Sequence, residues 1–274
     1  MKAAGVRAEP PYLQGERAAR ALRHELGLGF APVDIWEVVR RREVFVALHD
    51  FGETGGDGLY VWRGGEVAGV PLIVVNSVKR PSRQRFTAAH ELGHHEMHRF
   101  EAADVLIADE KVGTDGDERE TAANAFAAYL LAPTEDLRDS VKALGGPPTP
   151  AGLVSLMRRY GLSYEALAYR LRNAGLIGQK ALDALRAARE GQVARLMKRQ
   201  GFDEYSIFPP PTEIPEVLSR EAMRLFKDRV ISEARLAELL QTTIDEALDA
   251  VRDAGMERSA EPDFDEEAVK ELLG

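Results

Sequence analysis

The first apolar pattern along the chain is helical. Residues 15–28 are rich in Ala, Leu and Arg, with Ala18, Leu22 and Leu26 four apart on one face. Ile35, Val38 and Val39 extend the pattern into a second short helix from Val33 to Arg41. The period then changes. Residues 44–49 read as a strand, Gly52, Gly55, Gly56 and Gly58 mark a loop, and residues 59–62 and 71–76 read as two more strands. A long helix follows, with Ser82 as its N-cap and Pro81 before it. Phe86, Ala89, His90, Gly93, His94 and Met97 form its stripe, and Arg83, Arg85, Glu96 and Arg99 fall mostly outside it.

The second half of the chain reads as helical throughout. Residues 117–131 carry an apolar stripe of Ala123, Phe126, Ala127, Leu130 and Leu131, ended by Ala132-Pro133. Asp117 and Glu120 stand at the spacing of a capping box. Gly145-Gly146-Pro147-Pro148 is a linker signal, after which Pro150 opens a helix to Tyr160, Gly161 breaks it and Ser163 caps the next. Helix, short glycine turn, helix is the helix-turn-helix pattern. One long helix is expected from Ala181 to Lys198. Helices follow at residues 214–228, 232–241 and 243–253, ahead of an acidic tail after Glu257. These elements predict an α+β fold with a small sheet and a histidine-bearing helix, followed by an all-helical region.

Composition narrows the function classes. The 274 residues are 45% hydrophobic and 30% charged, as in ordinary globular domains. There is no apolar run long enough to span a bilayer, and the first ten residues have no signal-peptide core. The chain has no cysteine, which excludes disulfides and thiolate metal sites and fits a cytoplasmic location. A net charge of −9 argues against holding nucleic acid by charge alone.

The sharpest feature is residues 90–98, which hold four of the six histidines. His90-Glu91-Leu92-Gly93-His94 spells H-E-x-x-H. On a helix, positions i and i+4 share a face, so His90 and His94 can offer two imidazole nitrogens to one ion. Glu91 projects from the next position and can reach a metal-bound water as general base. His98 is eight residues from His90, about 12 Å along a continuous helix, too far to share that ion. His95 points off the stripe, towards solvent or a supporting role. A catalytic metal needs a third protein ligand. Asp115, Asp117, Glu118 and Glu120 are the candidates, and Glu120 lies on the inward face of its helix. The pattern leaves open whether Glu120 binds metal or closes the capping box.

Two blocks decide between these roles. Residues 85–94 (RFTAAHELGH) and residues 120–133 (ETAANAFAAYLLAP) resemble the ImmA/IrrE family of metallopeptidases. Strand 73–76, the spacing of Pro81 and Arg85, and residues 162–171 with 175–177 also resemble it. The resemblance implies a zincin-like metallopeptidase domain over residues 1–146. It leaves a helix-turn-helix-like segment over 147–178 and a helical C-terminal region with an acidic tail over 179–274. It implies His90, His94 and Glu120 as metal ligands and Glu91 as the catalytic residue. Zinc is the expected cofactor, with manganese as an alternative. The implied reaction is cleavage of a helix-turn-helix transcriptional repressor, which releases its genes in a stress response or in mobile-element control. Strand 71–76 is a candidate edge for pairing with an extended substrate. Tyr129 and Tyr169 are candidate donors to the oxyanion. The rival expectation is a non-enzymatic DNA- or protein-binding regulator, with Arg158, Arg159, Arg170 and Arg172 facing phosphates. No membrane partner is expected.

Overall fold

Helix α3, Pro81–His98, is the element around which the N-terminal part of the molecule is assembled. The computed structural model describes residues 9–63, 71–99, 104–109, 117–188, 190–211, 216–240 and 242–257. The chain divides into two compact units, Met1–Pro211 and Thr212–Gly274. The boundary between them falls at 211/212. The helices between Gly146 and Pro211 share the core of the first unit, through Leu153, Val154, Leu167 and Leu171.

The first unit opens with α1 (Pro11–Glu25) and α2 (Ile35–Arg41). β1 (Phe45–His49), β2 (Gly58–Arg63) and β3 (Leu72–Asn76) precede α3. β4 (Asp104–Asp109) follows it and completes a four-stranded sheet of order β1-β3-β2-β4. β3 runs parallel to β1, and β2 is antiparallel to both β3 and β4. The three strands expected from sequence are present to within a residue. β4 was not expected: its apolar run, residues 105–108, carries no glycine or proline turn signal beside it, and its pairing with β2 is what identifies it as a strand. β3 therefore has a neighbour on each side and is not the substrate edge that its sequence suggested.

α4 (Glu118–Leu131) packs along both α1 and α3. Then come α5 (Thr134–Ala143), α6 (Pro150–Tyr160), α7 (Tyr164–Asn173), α8 (Gln179–Arg186), α9 (Glu190–Arg199) and the short α10 (Glu204–Ile207). α5 starts directly after Pro133, which ends one helix and opens the next. The single helix expected over residues 181–198 is two. No proline flags the break, and the nearest glycine, Gly191, lies inside α9; the break lets α8 pack on α7 and α9 on α6. The second unit comprises α11 (Glu216–Lys227), α12 (Glu233–Leu239) and α13 (Ile244–Asp253) around Phe226, Leu236, Ala247 and Val251. The acidic tail lies outside the described residues. Among the described residues no helix is long and apolar enough to cross a membrane.

α3 departs from its expected pattern in two ways. It begins at Pro81, with Arg80 in the cap position, so Ser82 is not the cap. Ser82 is buried, and its backbone N–H donates to the Glu204 carboxylate of α10 at 3.2 Å. A buried acid from more than a hundred residues away thus satisfies one of the orphan donors at this helix start. Second, α3 is buried nearly all round rather than on one stripe, because α4 covers one side and the sheet another. Arg85 is buried with it. Its guanidinium donates to Val33 O at 2.8 Å and stacks on the Phe208 ring, while burial lowers its pKa to about 10.

Close helix approach depends on two glycines. A Cβ at Gly93 of α3 would lie 3.0 Å from the Phe126 ring and 3.3 Å from Ala123 Cα of α4. At Gly15 of α1 it would lie 1.9 Å from the Ala122 carbonyl oxygen. Ala normally stabilises a helix interior over Gly by about 1 kcal/mol. We expect the opposite sign for Gly15→Ala, a loss of about 1–3 kcal/mol from overpacking against backbone. Gly191 of α9 meets only Arg195 Nη1 at 3.8 Å, so Gly191→Ala is neutral or stabilising. Urea unfolding of the two variants tests the contrast.

Candidate metal centre

One turn of α3 separates His90 from His94, and both rings are fully buried on the side facing α4. Their Nε2 atoms are 3.0 Å apart. Glu120, in the first turn of α4, spans the pair: Oε2 is 3.1 Å from His90 Nε2 and Oε1 is 3.2 Å from His94 Nε2. Asp117 caps α4 through the N–H of Arg119 at 2.8 Å, with no reciprocal bond from Glu120. The carboxylate therefore faces the histidines and not the capping box. Burial pushes its pKa up, but the hydrogen bonds and charge of His90 and His94 outweigh this and hold it well below the usual carboxylate range. Of the other third-ligand candidates, Asp117 is the cap, Glu118 is exposed and Asp115 lies outside the described residues.

These donors suit a small divalent ion. His90, His94 and Glu120 each bring one ligand atom within 4.8 Å of the others. A tetrahedral ion with bonds of about 2.05 Å would hold its donors about 3.3 Å apart, so only tenths of an ångström of outward movement are needed. The hydrogen-bond pattern agrees. His90 Nδ1 donates to Asn124 Oδ1 at 3.2 Å, which leaves the lone pair on Nε2. His94 Nδ1 lies 2.9 Å from His98 Nδ1, again turning Nε2 inward. With both rings neutral and protonated on Nδ1, two Nε2 lone pairs and the Glu120 carboxylate would repel, and a cation among them would remove that conflict.

The remaining groups are arranged around this triad. Glu91 is fully buried on α3, and Gly58 at the start of β2 packs against it. A Cβ there would lie 3.0 Å from Glu91 Oε1 and 2.4 Å from Thr87 Cγ2. Gly58 reads in the sequence only as the last glycine of a loop; its role beside the carboxylate needs the fold. Asn76 holds that loop in place. Its side chain donates to Gly52 O and Gly56 O at 3.0 and 2.9 Å and accepts from Phe51 N at 3.3 Å.

Of the two places its sequence position left open for His95, solvent or a supporting role, the first is excluded by burial. His95 is buried with Nδ1 2.9 Å from the Tyr60 hydroxyl, and burial with the charges of Arg99 and Arg42 lowers its pKa to about 3. His98 is likewise buried, and desolvation with His94 and Arg119 lowers its pKa to about 4. The two candidate oxyanion donors are placed otherwise. Tyr129 is buried, and its hydroxyl donates to Glu135 at 2.8 Å. Tyr169 lies on α7 with Arg186 over its ring. Glu120→Ala should reduce bound metal well below that of the parent chain, by elemental analysis after gel filtration. Unchanged stoichiometry would remove Glu120 from the centre.

Comparison with known proteins is consistent with this geometry. Residues 39–172 match the family described as the IrrE N-terminal-like domain. The radiation response metalloprotease IrrE of Deinococcus deserti is 38% identical over 104 residues, 36% of this chain and 35% of that protein. The protein of the same name from Deinococcus radiodurans is 34% identical over 104 residues, 36% of this chain and 30% of its own length. The match thus spans about a third of the length of these curated relatives. The matched region contains the whole His90–His94–Glu120 triad and Glu91. These matches support an ImmA/IrrE family protein, with residues 39–172 as its IrrE N-terminal-like domain.

Proposed function

We propose that the chain is a metal-dependent endopeptidase, with His90, His94 and Glu120 as ligands, Glu91 as general base and acid, and zinc as the ion. The observation that carries the reading is the convergence of two buried imidazole nitrogens and a carboxylate within 3.0–3.2 Å, beside a fully buried glutamate on the same helix. When bound, the ion supplies Lewis acidity that polarises the scissile carbonyl and activates water at neutral pH. Glu91 takes a proton from the attacking water as its oxygen bonds to the carbonyl carbon. It returns that proton to the amide nitrogen as the carbon–nitrogen bond breaks. β4, paired on one side only among the described residues, offers the backbone edge for an extended substrate that β3 does not.

For the substrate we propose a helix-turn-helix repressor, whose cleavage releases its genes in the cytoplasm. The family membership supports this, as do relatives named for a radiation response. The DNA-binding alternative loses ground in the α6–α7 pair. Arg170 is buried, donating to Ala132 O and Thr134 Oγ1 at 2.9 and 2.8 Å. Arg159 is ion-paired with Asp136 at 2.8 Å, and Arg158 turns to Gln200 O at 3.4 Å. Few of the four arginines are thus left for phosphates.

The test uses the metal-loaded chain and the helix-turn-helix repressor encoded beside it, with fragments sized by mass spectrometry. The parent should cut once. Glu91→Gln should keep the metal and lose at least about a hundredfold in rate. Cleavage by Glu91→Gln at the parental rate would remove the peptidase assignment.

A further inference from the structure

Each ligand histidine has a second ring nitrogen facing away from the centre, and the two have different partners. An imidazole that gives its Nε2 lone pair to an ion carries its proton on Nδ1. For His90 that proton points to Asn124 Oδ1 at 3.2 Å, and an amide oxygen can only accept. For His94 the facing atom is another imidazole nitrogen, His98 Nδ1 at 2.9 Å. Two like nitrogens make a hydrogen bond only if one donates. With His94 the donor, His98 accepts through Nδ1 and carries its own proton on Nε2.

We propose that Asn124 and His98 are positioning residues of the metal centre, each fixing the tautomer and ring plane of one ligand histidine. The proposal rests on the metal-centre reading above. Its layout follows from helix geometry. Asn124 stands one turn after Glu120 on α4, and His98 stands one turn after His94 on α3. α4 thus supplies both the carboxylate and the brace of His90, whereas α3 braces His94 from within. A shift of α4 against α3 removes a ligand and a brace together. Outer partners of this kind are worth about 10–100-fold in metal affinity.

The test is zinc affinity by chelator competition on the full chain, for the parent, Asn124→Leu, Asn124→Asp and His98→Leu. Asn124→Leu removes the acceptor while keeping the branching of the side chain and should weaken zinc by about 10–100-fold. Asn124→Asp keeps an acceptor and should stay near the parental value. The metal-free unfolding midpoint of Asn124→Leu should match the parent, which separates positioning from folding. A second readout does not depend on variants. Long-range proton–nitrogen correlation spectra of the zinc-loaded parent should show His94 protonated at Nδ1, and His98 protonated at Nε2 with Nδ1 bare. Parental zinc affinity in Asn124→Leu, or a proton on His98 Nδ1, overturns the proposal while leaving the metal centre standing. A parent chain that binds no zinc overturns the centre itself and the proposal with it.

Discussion

The close approach of α3 and α4 is the constraint on which the rest depends. Gly93 lets the Phe126 ring and Ala123 backbone of α4 sit directly against α3. That approach brings Glu120, one turn before Asn124, across from His90 and His94. Were the helices held apart by side chains of ordinary size, the two imidazoles would face solvent or apolar side chains, and a carboxylate on α4 could not bridge them. α1 extends the same logic, since Gly15 seats it on the other side of α4 at Ala122. Small residues at the helix crossings therefore set the position of the chemistry.

A helix buried nearly all round would ordinarily be apolar. α3 instead buries Gln84, Arg85, His90, Glu91, His94, His95 and His98. Burying polar groups costs free energy unless they are hydrogen-bonded. Several of these groups have partners drawn from far along the chain. Val33 O takes Arg85, Ser77 O and Lys79 O take Gln84, and the Tyr60 hydroxyl meets His95. The Glu204 carboxylate takes the helix start. These bonds fix the groups on either side of His90 and His94, which a metal site needs more than the fold does.

Part of this is legible in the sequence. The i, i+4 spacing of His90 and His94 and the position of Glu91 follow from helix geometry alone. So do the three strands and most helix limits, because their periods are clear. Glu120 is different. Its spacing from Asp117 suits a capping box as well as a ligand, and only the pairing of α4 with α3 separates the roles; the resemblance to a known family supplied the choice before the fold did. The environment of α3 was not legible. Arg85 read as a surface residue, and His95 was left between solvent and a supporting role, because their partners lie on other elements. β4 was hidden because its pairing with β2, and not its composition, makes it a strand. Gly58 carries no signal beyond that of any loop glycine, yet it leaves room for the Glu91 carboxylate.

The central claim is that a single divalent ion sits between α3 and α4, held by His90, His94 and Glu120. Anomalous diffraction at the zinc edge, from crystals of the chain grown with zinc, addresses it most directly. The account predicts one strong peak about 2.0–2.2 Å from both Nε2 atoms and a Glu120 oxygen. A peak on other residues, or none at this triad in zinc-saturated crystals, would contradict it.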